Sequence, residues 1–274
     1  MSLHELSELV QGTPEWHDQR RGLVTASVVG KLISIDSPDA LTVTCPKCLA
    51  VAASPCISTA RKVPTPIKTI HDARAAAASN LPPVYTVATN DTARGLINTL
   101  VAERISGFTE DTPMTGDMWR GVECEPFARD KYAEHVAPVI ETGFMVRDDW
   151  GFRIGYSPDG LVGDDGLIEI KAPRAKTHVA TILADRVPPY YMAQLQTGLL
   201  VSGRKWIDFV SYCGGLPLWV KRVHPDPAWH EAIVAAVAQF EKAAEQMVAA
   251  FDDKTKDMPA TERISYDIQI GEVA

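Results

Sequence analysis

Residues 152–171 read FRIGYSPDGLVGDDGLIEIK. Phe152, Ile154 and Tyr156 alternate at period two, and Leu167, Ile168 and Ile170 resume an apolar pattern beyond Gly163-Asp164-Asp165-Gly166. Glycine accepts positive φ and aspartate makes local turn bonds, so this spacing predicts two short strands joined by a tight turn. Asp159 follows the first strand, while Glu169 and Lys171 lie two apart on the second. Side chains alternate along a strand, so Glu169 and Lys171 share one face and Ile168 and Ile170 take the other. Two carboxylates and an ammonium at a strand end suit a divalent metal and an activated water. They also suit an exposed hairpin with solvated charges. The stretch alone leaves both readings open.

Upstream, apolar residues at 93, 96, 97, 100, 101 and 105 predict an amphipathic helix over 89–106, closed by Gly107. A second helix is expected over 117–135, with Trp119, Val122, Phe127, Ala128 and Tyr132 inward, Pro126 as a bend, and Glu123 and Glu125 along it. A strand over 139–146 leads into the hairpin. Downstream come helical character at 175–185 and a helix at 190–203 closed by Gly203, with Tyr191 and Gln194 one turn apart. The buried amides of Gln194 and Gln196 need partners, for which a metal-bound water or a phosphate is suited. Strands follow at 206–212 and 216–223. A long helix from Pro227 carries a stripe of Ile233, Val237, Phe240, Ala244, Met247 and Phe251. Helices interleaved with strands in this order predict an α/β (α+β) core, a mixed central β-sheet flanked by helices.

At the N-terminus, Leu3, Leu6, Leu9 and Val10 have helical spacing, broken by Gly12-Thr13-Pro14. Trp16, Gln19 and Arg20 suggest one helical turn, and Thr25 or Ser27 caps another. A helix start beside Arg20 and Arg21 is either a phosphate site or a capped helix with solvated arginines. Residues 36–90 differ in character, holding three of the five cysteines and seven of the nineteen prolines, with little periodicity before an Ala-rich run at 73–78. This predicts an insertion over 36–88, dividing the remainder into 1–35 and 89–274. Within it, Cys45, Cys48 and Cys56 are followed by His71, a ligand set for a closed tetrahedral Zn²⁺ site. A segment too small to bury a core gains a structural staple from the metal.

A chain of 274 residues suits one large domain or two small ones. The N-terminus is too acidic and polar for a signal peptide, and no apolar run reaches the length of a membrane span. A cytoplasmic protein with unpaired or metal-bound cysteines is therefore expected. The net charge of −8 argues against a broadly basic nucleic-acid surface, but it is compatible with acidic metal sites beside a local basic groove.

Taken in order, the residues resemble the lambda-type exonuclease, or YqaJ-like viral recombinase, branch of the PD-(D/E)xK nuclease superfamily. The likeness is carried by Trp16, Arg20 and Thr25-Ala26-Ser27, then by Trp119 to Glu125 with Ala128-Arg129. Ser157-Pro158-Asp159-Gly160, Ile168-Glu169-Ile170-Lys171 and Tyr191-Met192-Ala193-Gln194-Leu195-Gln196 complete it. It implies a restriction-endonuclease-like core and a Mg²⁺ (or Mn²⁺) site of one or two ions. Asp159, Glu169 and Glu125 would be its ligands, with the Ile170 carbonyl contributing and Glu123 as the rival of Glu125. Lys171 would serve the attacking water, Gln194 and Tyr191 would orient the site, and Arg20 and Ser27 would hold a 5′-phosphate. The resemblance further implies a 5′→3′ exonuclease acting on double-stranded DNA ends to leave 3′ tails for recombination. It implies a single-strand annealing partner, a ring-shaped homotrimer, no membrane attachment, and the host cytoplasm for a phage-encoded chain. The insertion is similar to a small zinc finger of actinobacterial and actinophage proteins, matched by Cys45, Pro46, Cys48, Pro55, Cys56, His71 and Arg74. The glycines usual between its cysteine pairs are missing here.

Two other functions fit the same residues. One is a structure- or sequence-directed endonuclease on this core. The other is a zinc-dependent DNA-binding protein with an idle nuclease site, against which the intact Asp159, Glu169 and Lys171 argue.

Overall fold

The computed structural model describes residues 2–60, 63–110 and 114–263. The chain begins with a strand, β1 (Leu3–Leu6), and two short helices, α1 (Pro14–Arg20) and α2 (Ala26–Val29). Thr13 caps α1 by accepting from Trp16 N at 3.3 Å, and Pro14 takes the first helical position, where no N–H is needed. A 3-10 turn at Gly30–Leu32 carries α2 into β2 (Ile33–Asp36). The cysteine-rich segment follows and contains helix α3 (Asp72–Ser79). β3 (Val84–Val87) then returns antiparallel to β2, with Ile33 opposite Val87.

Next come two long helices, α4 (Asp91–Ser106) and α5 (Gly116–His135). Asn90 caps α4 by accepting from Ala93 N, and Gly107 ends it in the left-handed conformation at φ 66°. Strands β4 (Phe144–Arg147), β5 (Ile154–Tyr156), β6 (Gly160–Val162) and β7 (Gly166–Lys171) follow. Helices α6 (Ala175–Ala184) and α7 (Met192–Ser202) lead to β8 (Trp206–Ser211), β9 (Trp219–Val223) and α8 (Pro227–Thr255).

The central sheet has the order β6-β7-β8-β9, with β7 and β8 parallel and both outer pairings antiparallel. A parallel neighbour requires a long crossover, which α6 and α7 provide. Alternation along the strands sends Leu167, Ile207 and Phe209 towards α7 and α8. Ile168, Ile170 and Val210 go the other way, towards Ala128 and Tyr132 of α5. The mixed sheet is thus flanked by helices, as expected.

Four expectations need correction. Residues 3–6 form a strand paired with β4, Leu3 opposite Arg147, because a sheet partner far along the chain overrides their helical spacing. β5 also joins that sheet, so the hairpin partner of β7 is β6. Pro158, which has no N–H to donate, lies in the break between β5 and β6. The strand expected at 139–146 is confined to Phe144–Arg147. On α5 only Ala128 and Tyr132 are buried, whereas Trp119, Val122 and Phe127 are 54%, 55% and 61% exposed. The β2–β3 pair went unanticipated. It sets the two ends of the cysteine-rich segment side by side.

Candidate active site

The residues singled out around the hairpin line one cavity of about 670 Å³. Asp159 sits just after Pro158, and its Oδ2 accepts a bond from Ile170 N at 2.6 Å. Glu169 projects from β7 towards α7 and is buried. Its Oε1 accepts from Lys171 Nζ at 2.6 Å and from Gln194 Nε2 at 2.5 Å, while the Tyr156 hydroxyl lies 3.4 Å from Oε2. Glu125 reaches the cavity from α5, whereas Glu123 is exposed and does not line it. Tyr191 lies beside Lys171, whose ammonium is 5.6 Å from the ring centroid.

Burial disfavours charge on all three carboxyls. It raises Glu169 to about 7, with the charge of Asp159 adding to the effect. It raises Glu125 to about 7 in the same way. Burial likewise raises Asp159, against the pull of Lys171. For Lys171, desolvation lowers the ammonium, but the charges of Glu169 and Asp159 outweigh it and the net shift is upward. Three crowded carboxyls that hold protons more tightly than usual, all oxygen donors, fit a hard divalent cation.

The cavity's other wall comes from the N-terminal segment. A parallel bridge between Thr25 and Gly155 brings the start of α2 against β5. Gly155 is obligatory there, because a Cβ would lie 2.4 Å from the Phe144 ring. Arg20 stacks over the Trp16 ring at 4.1 Å and donates to Ser27 Oγ at 3.0 Å and Thr25 Oγ1 at 3.4 Å. No carboxylate pairs with it among the described residues, so its charge is open to an anion. Thr25 contributes no side-chain cap to α2.

Several residues acquire a place that sequence reasoning did not assign. Arg129 donates to Glu125 Oε1 at 2.5 Å and to the Asp159 carbonyl at 3.0 Å, tying α5 to the hairpin. Its i,i+4 spacing from Glu125 was the available signal. Asp117 accepts from both Arg120 and Arg174, placing two guanidinium groups at the rim. Ser157 lines the cavity beside Trp16. Gln196 serves the fold instead: its amide donates to His224 O and accepts from Asp226 N, both at 2.9 Å.

Apart from this cavity, Cys45, Cys48, Cys56 and His71 converge, their ligand atoms all within 4.8 Å of one another. Four N and S donors so close to a common centre fit a tetrahedral zinc. Burial opposes ionisation of Cys48, but bonds from Ile57 N and Ala50 N, with Cys45 and His71 alongside, bring its thiol down to about 6. Burial raises Cys45. Arg74 is fully buried and donates to the carbonyls of Val43, Ser54 and Val51 at 2.9, 2.6 and 2.9 Å. Its Nη1 lies 3.6 Å from Cys56 Sγ. The missing glycines have a visible consequence, since Leu49 and Ala53 take left-handed φ values of 60° and 62°.

The YqaJ-like viral recombinase domain family matches residues 69–205, half of the chain. A phage zinc-finger domain family matches residues 11–91. No curated protein matches. Among solved structures, the alkaline exonuclease LHK-Exo from Laribacter hongkongensis superposes with a TM-score of 0.64 at 28% identity, covering 90% of this chain and 100% of that one. The complex of LHK-Exo with dAMP matches to the same extent, again with a TM-score of 0.64 at 28% identity over 90% and 100% of the two chains.

Proposed function

Because the chain belongs to the YqaJ-like viral recombinase domain family, we propose that it is a DNA exonuclease that resects duplex ends for recombination. In this reading it requires Mg²⁺, works 5′→3′ and leaves 3′ tails for a single-strand annealing partner. One observation carries the reading: Asp159, Glu169, Glu125 and Lys171 share a single cavity with Arg20 and Ser27. Glu125, Asp159 and Glu169, with the Ile170 carbonyl, would hold the ion, with Mn²⁺ as a substitute. When bound, it would lower the pKa of the attacking water and neutralise charge on the phosphate. Lys171 and Gln194, both on Glu169 Oε1, would orient that water and keep the carboxylate from rotating. Tyr191 would bound the water site beside Lys171. Arg20 and Ser27 would seat the terminal phosphate, so that the next bond falls at the carboxylates.

In the same reading the catalytic unit comprises 1–35 and 89–274, with 36–88 a zinc-stabilised insertion that adds DNA contacts. Zn²⁺ would sit on Cys45, Cys48, Cys56 and His71. A homotrimeric ring and a host-cytoplasmic setting complete it. Among the described residues no helix is long and apolar enough to cross a membrane.

Digestion of end-labelled linear, nicked and circular duplexes, with and without Mg²⁺, tests the reading. Mononucleotide release from linear ends only, lost on Asp159→Ala, is expected. Cleavage of closed circles would replace it with an endonuclease.

A further inference from the structure

Arg20 lies at the C-terminal end of α1, and what fixes its backbone is not in the active site at all. Gly22, two residues on, is gripped from both sides by the end of α4. Glu103 Oε2 accepts from Gly22 N at 2.7 Å, and Arg104 Nε donates to Gly22 O at 2.7 Å. The Arg104 guanidinium is itself anchored. It makes a bidentate pair with Glu241 of α8 at 2.6 and 2.7 Å and lies 4.9 Å over the Phe240 ring. The Arg104 and Glu241 side chains are only 28% and 19% exposed. Gly22 is suited to this grip, with φ at +63° and with space for no Cβ, which would meet Arg104 Cγ at 2.4 Å. The turn then closes through Leu23 N donating to Arg20 O at 3.0 Å.

The Arg20 side chain, by contrast, is held among the described residues by hydroxyls and a ring face. Those contacts are soft and would let the guanidinium drift if its backbone moved. We propose that Glu103 and Arg104 are positioning residues that set selectivity for a 5′-phosphorylated DNA end, by fixing Gly22 and through it Arg20. This rests on the reading that Arg20 seats the terminal phosphate. Glu103 also acts through space, its charge opposing the fall in Arg20 basicity that burial causes.

The test compares kcat and KM on linear duplexes bearing a 5′-phosphate or a 5′-hydroxyl, using the full-length protein in Mg²⁺. Arg20→Ala is the reference and is expected to erase the preference for the phosphorylated end. Glu103→Ala and Arg104→Met are expected to raise KM for phosphorylated ends on the order of tenfold, as small misplacements of a positioning group do. The 5′-hydroxyl substrate and kcat at saturating DNA should be unaffected. Glu103→Gln, which keeps an acceptor for Gly22 N, should restore most of the preference. An unchanged preference in Glu103→Ala and Arg104→Met, with Arg20→Ala impaired, overturns the proposal while leaving the phosphate reading standing. So does an equal loss on both substrates, which would mark a merely structural contact. An unchanged preference in Arg20→Ala itself removes the phosphate reading, and this proposal with it.

Discussion

At the scale of single residues, the hairpin's side chains divide their work sharply. Asp159 and Glu169 face the cavity, while Asp165 accepts from Lys205 Nζ at 2.8 Å on the far side of the turn. Arg129 is the residue whose removal is most informative. Arg129→Met would leave Glu125 without its cation and the Asp159 carbonyl without a donor. We expect turnover to fall roughly 10²-fold with a loss of about 1–3 kcal/mol in stability. Steady-state kinetics beside thermal unfolding would read both, and unchanged kinetics would refute the assignment. Leu49 offers the opposite kind of test. A left-handed leucine costs about 1 kcal/mol that glycine avoids, so Leu49→Gly should raise the insert's thermal stability in the zinc-loaded protein. A lower melting point would show that the Leu49 side chain contributes more than its backbone costs.

Among the elements, α7 carries two glutamines with separate duties. Gln194 points to Glu169, and Gln196 joins α7 to the residues just before α8. Gln194→Leu is therefore expected to suppress nuclease activity with little change in melting temperature. Gln196→Leu should destabilise by about 1–3 kcal/mol, through unpaired backbone groups, with activity per folded molecule retained. Identical phenotypes in the two variants would contradict this division. Both residues were legible as unusual in the sequence, but not their partners. His224 and Asp226 lie 28 and 30 residues beyond Gln196 and are brought to it only by the β8–β9 turn of the chain. The exposure of Trp119 and Val122 on α5 was hidden for a related reason. Helical spacing tells which residues share a face, but not which face the sheet will cover.

Across the whole molecule, the proposed metal site ties metal binding to charge. Burial, with the charge of Asp159 adding to it, raises Glu125 and Glu169 to about 7 from the ordinary 4.5. Between those values the folded chain holds more protons than the unfolded chain. Without divalent metal, stability therefore falls as pH rises through that window and levels off above it. Mg²⁺ bound by these carboxyls as proposed would displace those protons, so the Mg²⁺-induced rise in melting temperature should be small near pH 5.5 and largest above about pH 7.5. A Mg²⁺ effect that does not vary with pH would disprove the coupling. The proposed zinc would be independent of it, with sulfur ligands of its own. Cys56→Ser should lose about one zinc per chain by metal analysis, as expected for a ligand of a four-coordinate site.

The proposed metal ligands could be picked out in the sequence because metal chemistry demands particular donors, several of them within short stretches. Asp159 and Glu169 lie ten residues apart, and Cys45, Cys48 and Cys56 fall within twelve. Helices with strong periodicity and clear caps, such as α4 and α8, were equally plain. Only the tertiary structure decided that residues 3–6 form a strand and that β5 leaves the hairpin for another sheet. It likewise decided that Arg129 bridges two elements and that Arg20 is anchored through Gly22 to α4 and α8. Most of these depend on partners tens to more than a hundred residues away, and β5 on a strand seven to eleven residues back that is itself held by β1. Local pattern records what a segment can do; which long-range hydrogen bonds and ion pairs form is settled by packing.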